Sequence, residues 1–130
     1  QMPMSKEDKL NFAFKVALAI AEEQKLVPPA ELWMAKWDLS EDDIKRSHKN
    51  VKSAIDKLRG TQKIDYSLLE LRIRDGKRFD VPTAQAIIGI LYARGEFVDV
   101  IESLDFVPNE VMEYLEAAKR YYRPVRVEEE

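Results

Sequence analysis

Apolar residues recur at helical spacing along most of the chain, and caps, prolines and glycines mark the breaks. Leu10, Phe14, Ala17 and Ala21 share one face of a first helix, with Ala13, Val16 and Ile20 beside them. Ser5 stands where its hydroxyl can accept from the backbone N–H three residues on, and the pattern runs to about Lys25. So wide an apolar surface predicts a central core helix. Pro28-Pro29 ends it and opens a short second helix, about Ala30 to Trp37, with Leu32, Trp33, Met34 and Trp37 to bury. After the tight Asp38-Leu39 connection, Ser40 and the acids behind it predict the capped start of a third helix, which Gly60 closes. Its apolar positions, Ile44, Val51, Ile55 and Leu58, leave the basic residues facing outward.

The period then changes. From Leu69 to Val81 apolar and charged residues alternate on both sides of Asp75-Gly76, which predicts a β-hairpin. A three-residue loop, Arg74-Asp75-Gly76, aligns Leu71 with Phe79 and Leu69 with Val81 and collects the apolar side chains on one face. The competing reading is a helix from Tyr66 to Asp75 capped by Asp65. Three more helices follow: Ala84 to Arg94, Phe97 to Leu104, and one from Pro108-Asn109 to Tyr121 or Tyr122, with a fraying tail over 123–130. The expected fold class is therefore mostly α with one β-hairpin, divided into a core over 1–81, a helical region over 82–122 and the tail.

Composition narrows the chemistry. The 130 residues are 45% hydrophobic, enough for one packed domain. No apolar run reaches the roughly 20 residues of a membrane span. The stretch Phe12 to Ala21 carries a lysine, continues into Glu22-Glu23 and is not read as a signal peptide, so a cytoplasmic location is expected. With no cysteine, one histidine and no glycine-rich phosphate loop, the sequence offers no metal, nucleotide or other cofactor site and no catalytic set. His48 lies on the apolar side of the third helix and reads as partly buried and structural. Trp33 and Trp37, one turn apart, read as core or interface anchors.

Charge changes the picture more. Net charge is −3, yet Ile44 to Phe79 holds eleven Lys and Arg against four acids, a local +7 that leaves −10 for the rest. Such a split gives the middle of the chain an electrostatic identity that the overall charge conceals. On the third helix Lys45, Lys49 and Lys52 form one stripe, and Arg46, Asn50, Ser53 and Lys57 the neighbouring one. Arg72, Arg74, Lys77 and Arg78 cluster on the hairpin segment. Lysines suit phosphate as point charges, whereas Arg46 and Asn50 are the side chains built for bidentate contacts with base edges.

The order helix, short helix, tight turn, basic helix, hairpin over residues 6–81 resembles the winged helix-turn-helix superfamily of DNA-binding domains. Trp33, Met34 and Trp37 match its second helix and Leu39 its turn, with Asp38 where the family has glycine. Ser40 matches the cap, Ile44 and Val51 the anchors of the third helix, and RIRDGKRF a basic wing. The resemblance implies a recognition helix over 44–59 in the major groove and a wing over 69–81 on the adjacent backbone. The segment Gly95 to Ala118 resembles small antitoxin-type helix-turn-helix domains, but its last helix exposes Glu110, Glu113 and Glu116, which a DNA backbone repels. That region instead reads as a docking or dimerisation segment, because Ile87, Ile88, Leu91, Val100, Ile101, Val111, Met112 and Leu115 offer more apolar surface than three short helices bury among themselves.

The expected function is non-catalytic binding of duplex DNA, or RNA, by a transcriptional regulator or architectural factor. The C-terminal helices would join a homodimer or a protein partner, and no membrane is involved. The alternative is an all-α interaction module, such as a small subunit of a larger assembly, whose basic patch meets an acidic protein or RNA. A hairpin at Leu69 to Val81 favours the first reading, a helix there the second.

Overall fold

The least polar helix of the chain lies at its centre. In a computed structural model, which describes residues 4–128, the elements are α1 (Lys6–Gln24), α2 (Pro29–Lys36), α3 (Glu41–Asp56), α4 (Tyr66–Arg74), α5 (Val81–Ala93), α6 (Val98–Glu102) and α7 (Asn109–Glu128). Helix α5 is apolar all round and buries Ala84 and every residue from Ala86 to Ala93. A helix with no polar face has no side to turn to water and must be sheathed. Helices α2, α3, α4 and α7 supply the sheath, each packing directly on α5. Ile44 and Val51 from α3, Leu69 and Ile73 from α4 and Val111 from α7 complete the core. Among the described residues no helix is long and apolar enough to cross a membrane.

No strand occurs among the described residues, so the expected hairpin over Leu69–Val81 is overturned in favour of the competing helix. Leu69, Leu71 and Ile73 alternate, but Tyr66, Leu69 and Ile73 also sit one turn apart, so this short stretch satisfies both periods. Two features decide for the helix. The Asp65 side chain accepts from the Leu68 N–H at 2.8 Å, capping it. The wall of α5 then accepts one helical face, burying Tyr66, Leu69 and Ile73 and leaving Leu71 60% exposed. Asp75, Gly76 and Lys77 follow with φ of 51°, 66° and 74°, and the Phe79 N–H returns to the Arg74 carbonyl at 3.1 Å. That is a left-handed helix ending, not a hairpin turn. The winged part of the expected fold is therefore absent, while its mostly helical part stands.

The expected role of the first helix is also corrected. Helix α1 packs on α2 and contains no buried residue; only Leu18 and Ala21 are half-buried against the core. The central position belongs to α5, and the apolar residues assigned to C-terminal docking lie inside the core around it. Ile87, Ile88, Leu91, Ile101, Val111 and Leu115 are all buried, Val100 is half-buried, and Met112 alone of that set is exposed. Helix α7 continues to Glu128, past the expected end at Tyr121 or Tyr122 and through most of the expected tail.

Helices α2 and α3 are separated by a turn in which Asp38 adopts φ 52°, the left-handed conformation a glycine would take freely. They share no extended interface of their own; α5 holds both.

One close approach tests this arrangement. A Cβ built at Gly89 would lie 2.7 Å from the Tyr114 Cβ and 2.8 Å from its Cγ, so α5 and α7 meet where a side chain is missing. Alanine favours a helix interior over glycine by about 1 kcal/mol. The clashing atoms, however, adjoin the α7 backbone and cannot swing aside. Gly89→Ala should therefore destabilise the protein by about 1–3 kcal/mol, measured as a lower urea midpoint at unchanged slope. A stabilised variant would show that α5 and α7 do not meet this closely.

Candidate nucleic-acid interface

The basic centre of the chain folds into two adjacent helices. At the start of α3 a reciprocal cap forms: the Asp43 N–H donates to Ser40 Oγ at 3.1 Å, and the Ser40 N–H to Asp43 Oδ2 at 2.9 Å. Two of the three acids of this first turn, Glu41 and Asp43, are paired with cations from elsewhere. Arg78 Nη2 donates to Asp43 Oδ1 at 2.6 Å, and both Arg94 terminal nitrogens lie 2.7 Å from the two Glu41 oxygens. These bonds fasten α3 to the α4–α5 connection and to the end of α5.

The backbone hydrogen bond from Ser40, then the Ser40 and Arg78 side chains, hold the Asp43 carboxyl below its ordinary pKa. The Arg94 guanidinium does the same for Glu41, and the Thr83 hydroxyl for the α5 cap Asp80.

Beyond that turn α3 is basic. Lys45, Lys49 and Lys52 lie exposed on its outer face, with Lys52 Nζ 3.4 Å from Asp56 Oδ2 one turn on. The second stripe turns toward α4. Asn50 and Ser53 from α3 and Lys57 at its C-terminal cap meet Leu71 and Arg72 from α4 around an open cleft of about 230 Å³, with Asp75 and Gly76 at its end. Exposed Lys77 stands on the turn just beyond.

Four of the eleven predicted residues are engaged within the fold, Lys52 with Asp56 as above and three arginines. Arg46 Nε lies 2.7 Å from Asp75 Oδ2, which pins the left-handed turn to α3. Arg74 Nε donates to the Phe79 carbonyl at 3.1 Å. Arg78, besides holding Asp43, sits 5.2 Å over the Phe79 ring. The structure thus gathers Asn50, Ser53, Lys57 and Arg72 in one cleft and sets Lys45, Lys49 and Lys52 beside it. It does not present Arg46, Arg74 and Arg78 as an independent basic tip.

Sequence reasoning missed two features. Leu71 contributes an apolar wall to the cleft, hidden because the alternation read it as a core residue. Asp75 places a carboxylate inside the basic cluster; its only signal was its position before a glycine, which served the turn reading.

The remaining candidates play other parts. His48 contacts Glu96 through Nδ1 and lies against the Phe97 ring, centroids 4.6 Å apart. Trp33 is buried edge-on to Tyr114, and Trp37 Nε1 donates to the Tyr114 hydroxyl at 3.1 Å. Burial pushes the Tyr114 hydroxyl upward in pKa. These aromatics line a groove of about 990 Å³ between the end of α1, α2, the start of α5 and α7, with Glu22, Lys36, Glu110 and Glu113 on its edges. Among the described residues no three His, Asp or Glu side chains converge on a metal-sized site.

The depressed carboxyls set an acid limit. A group whose pKa is lowered by folding stabilises the native state above its unfolded pKa, and that contribution is lost as pH falls through the folded value. Thermal unfolding midpoints should hold near neutrality and drop as pH passes below about 4, the ordinary carboxylate range. Asp43→Ala should lower the neutral-pH midpoint and flatten this acid dependence. An unchanged acid profile would remove Asp43 as the residue that couples α3 to pH.

No family model matches the chain, and neither a curated protein nor a solved structure matches it, so the site is read from its own geometry.

Proposed function

We propose that the chain is a non-catalytic helical binding module whose α3–α4 face takes the phosphate backbone of a nucleic acid, duplex DNA in the first instance. The observation that carries this reading is the cleft in which Asn50, Ser53, Lys57 and Arg72 converge beside the lysine row of α3. Several acids near it are matched: Asp43 by Arg78, Glu41 by Arg94, Asp75 by Arg46 and Asp56 by Lys52. Lys45, Lys49, Lys57 and Lys77 are exposed and present their charge to solvent. Exposed lysines attract phosphate without discriminating bases. Of the two side chains suited to base edges, Arg46 is tied to Asp75 and Asn50 is half-buried in the cleft. Binding by this face is accordingly of the backbone kind and insensitive to sequence. The acidic residues Glu110 and Glu113 belong to α7, with α5 between them and α3.

A second reading has its own support. A helix rather than a hairpin over 66–74 suits an all-α module that docks an acidic protein on the same cations.

Titration of random duplex DNA, single-stranded RNA and polyglutamate against salt separates the two. If Lys45, Lys49, Lys57, Arg72 and Lys77 meet phosphates, log K should fall with log salt at a slope of about −4 to −5 on duplex DNA. Absence of duplex binding at ~50 mM salt, where the electrostatic term is strong, would overturn the proposal. Polyglutamate binding as tightly as DNA at equal salt would transfer the face to an acidic protein.

Variants sharpen the test. Lys57→Ala and Arg72→Ala should each weaken all DNA sequences alike and reduce the salt slope by about one. Arg46→Ala should act chiefly on stability by releasing Asp75. A loss confined to one DNA sequence on changing Arg46 would show that α3 reads bases after all.

A further inference from the structure

Among the described residues, helix α1 carries an apolar face with no other element packed upon it. Leu18 and Ala21 mark the side turned to the body, and α2 is too short to cover more of it. On the other side Phe12, Val16 and Ile20 are 62%, 41% and 47% exposed. At about 100° per residue these three, with Ala13 and Ala19, fall within one arc of roughly 120° opposite the inward side. The same arc carries a charge at each end, Lys9 near the start and Glu23 near the finish. An isolated helix of this length is marginal in water, and α1 has little tertiary support, so a mate for this face would also hold the helix itself.

From these observations we infer that α1 is a self-association surface: two copies of the chain pair their α1 helices antiparallel about a two-fold axis at Val16. The arrangement of the arc is what selects a second copy. With the axis at Val16, Phe12 comes level with Ile20 of the second copy and Ala13 with its Ala19. Lys9 comes level with Glu23 of the second copy, and by symmetry the same ion pair forms at the other end. Opposite charge therefore meets opposite charge at both ends, and apolar side chains meet between them. A parallel pairing in register would instead set Lys9 on Lys9 and Glu23 on Glu23. The two-fold contact is isologous and closes, so it stops at a dimer. One helix ridge about 28 Å long is a small interface, in the class of weak or transient contacts under about 1,200 Å². Dimerisation is therefore expected to be weak and concentration-dependent.

The test is sedimentation equilibrium of the full chain without nucleic acid, from about 1 to about 200 μM, a range that covers weak association. The result expected is a concentration-dependent doubling of the 15.1 kDa chain mass. Val16→Glu sets two carboxylates on the axis and should abolish the doubling while circular dichroism stays native, since Val16 is not part of the core. Leu10→Lys, at a residue more exposed than Val16 but outside the arc, should leave the dimer in place. Lys9→Glu and Glu23→Lys should each weaken dimerisation at least several-fold, and the double exchange should restore it because the pairs re-form with signs reversed. The chain has no cysteine of its own, so single cysteines report orientation: oxidation should link Val16→Cys to its copy readily and Phe12→Cys poorly. A chain that stays monomeric to 200 μM overturns the proposal. So does a dimer equally sensitive to Val16→Glu and Leu10→Lys, one not restored by the double charge exchange, or one in which Phe12→Cys links as readily as Val16→Cys.

Discussion

The burial of α5 is the constraint on which the other elements depend. Its sequence from Ala84 to Ala93 has no charge and only Gln85 and the Tyr92 hydroxyl as polar groups, and the structure encloses nine of its residues. A helix of this kind is stable only if other helices present apolar faces to it on nearly every side, and α2, α3, α4 and α7 do so. Gly89 lets α7 approach until Tyr114 lies against the α5 backbone. Tyr114 in turn meets Trp33 edge-on and receives the Trp37 N–H, so one close helix contact organises the aromatic cluster at the far side of α2.

The same constraint creates the basic face. Helices α3 and α4 are neighbours because both need α5, and their mutual packing leaves a cleft between their polar sides. Around the edges of α3, carboxylates and guanidiniums pair across elements: Glu41 with Arg94, Asp43 with Arg78, Asp75 with Arg46. Each pair is partly exposed and contributes little to stability in isolation. Together they orient α3 against the end of α5 and the turn after α4. They also consume three arginines and three acids, so the charge left outward is carried mainly by lysines. A surface of that make-up attracts a polyanion by field rather than by shape.

Helix α1 is the element that α5 does not organise. Its middle, Phe12 to Ala21, is apolar but for Lys15, yet α2, α3, α4 and α7 already surround α5, and α1 packs on α2. Apolar surface of that extent left on the outside costs free energy in water, which is why it is the part of the molecule most in need of a second surface.

Much was legible in the sequence because it is local. Ser5 and Ser40 cap their helices as their spacing indicates, and the capping box of α3 is complete. Pro29 starts α2, and the concentration of cations on α3 needs only the helical period to be seen. Two decisions lay beyond local information. Residues 69–73 fit both a strand and a helix, and the Asp65 cap together with the flat wall of α5 chose the helix. Two helices, α1 and α5, were each apolar enough to lie at the centre, and which one is buried depends on which faces the other helices bring. Periodicity reports how a segment could bury itself; where it is buried, and which cations remain unpaired when it is, depends on contacts between residues far apart in the chain.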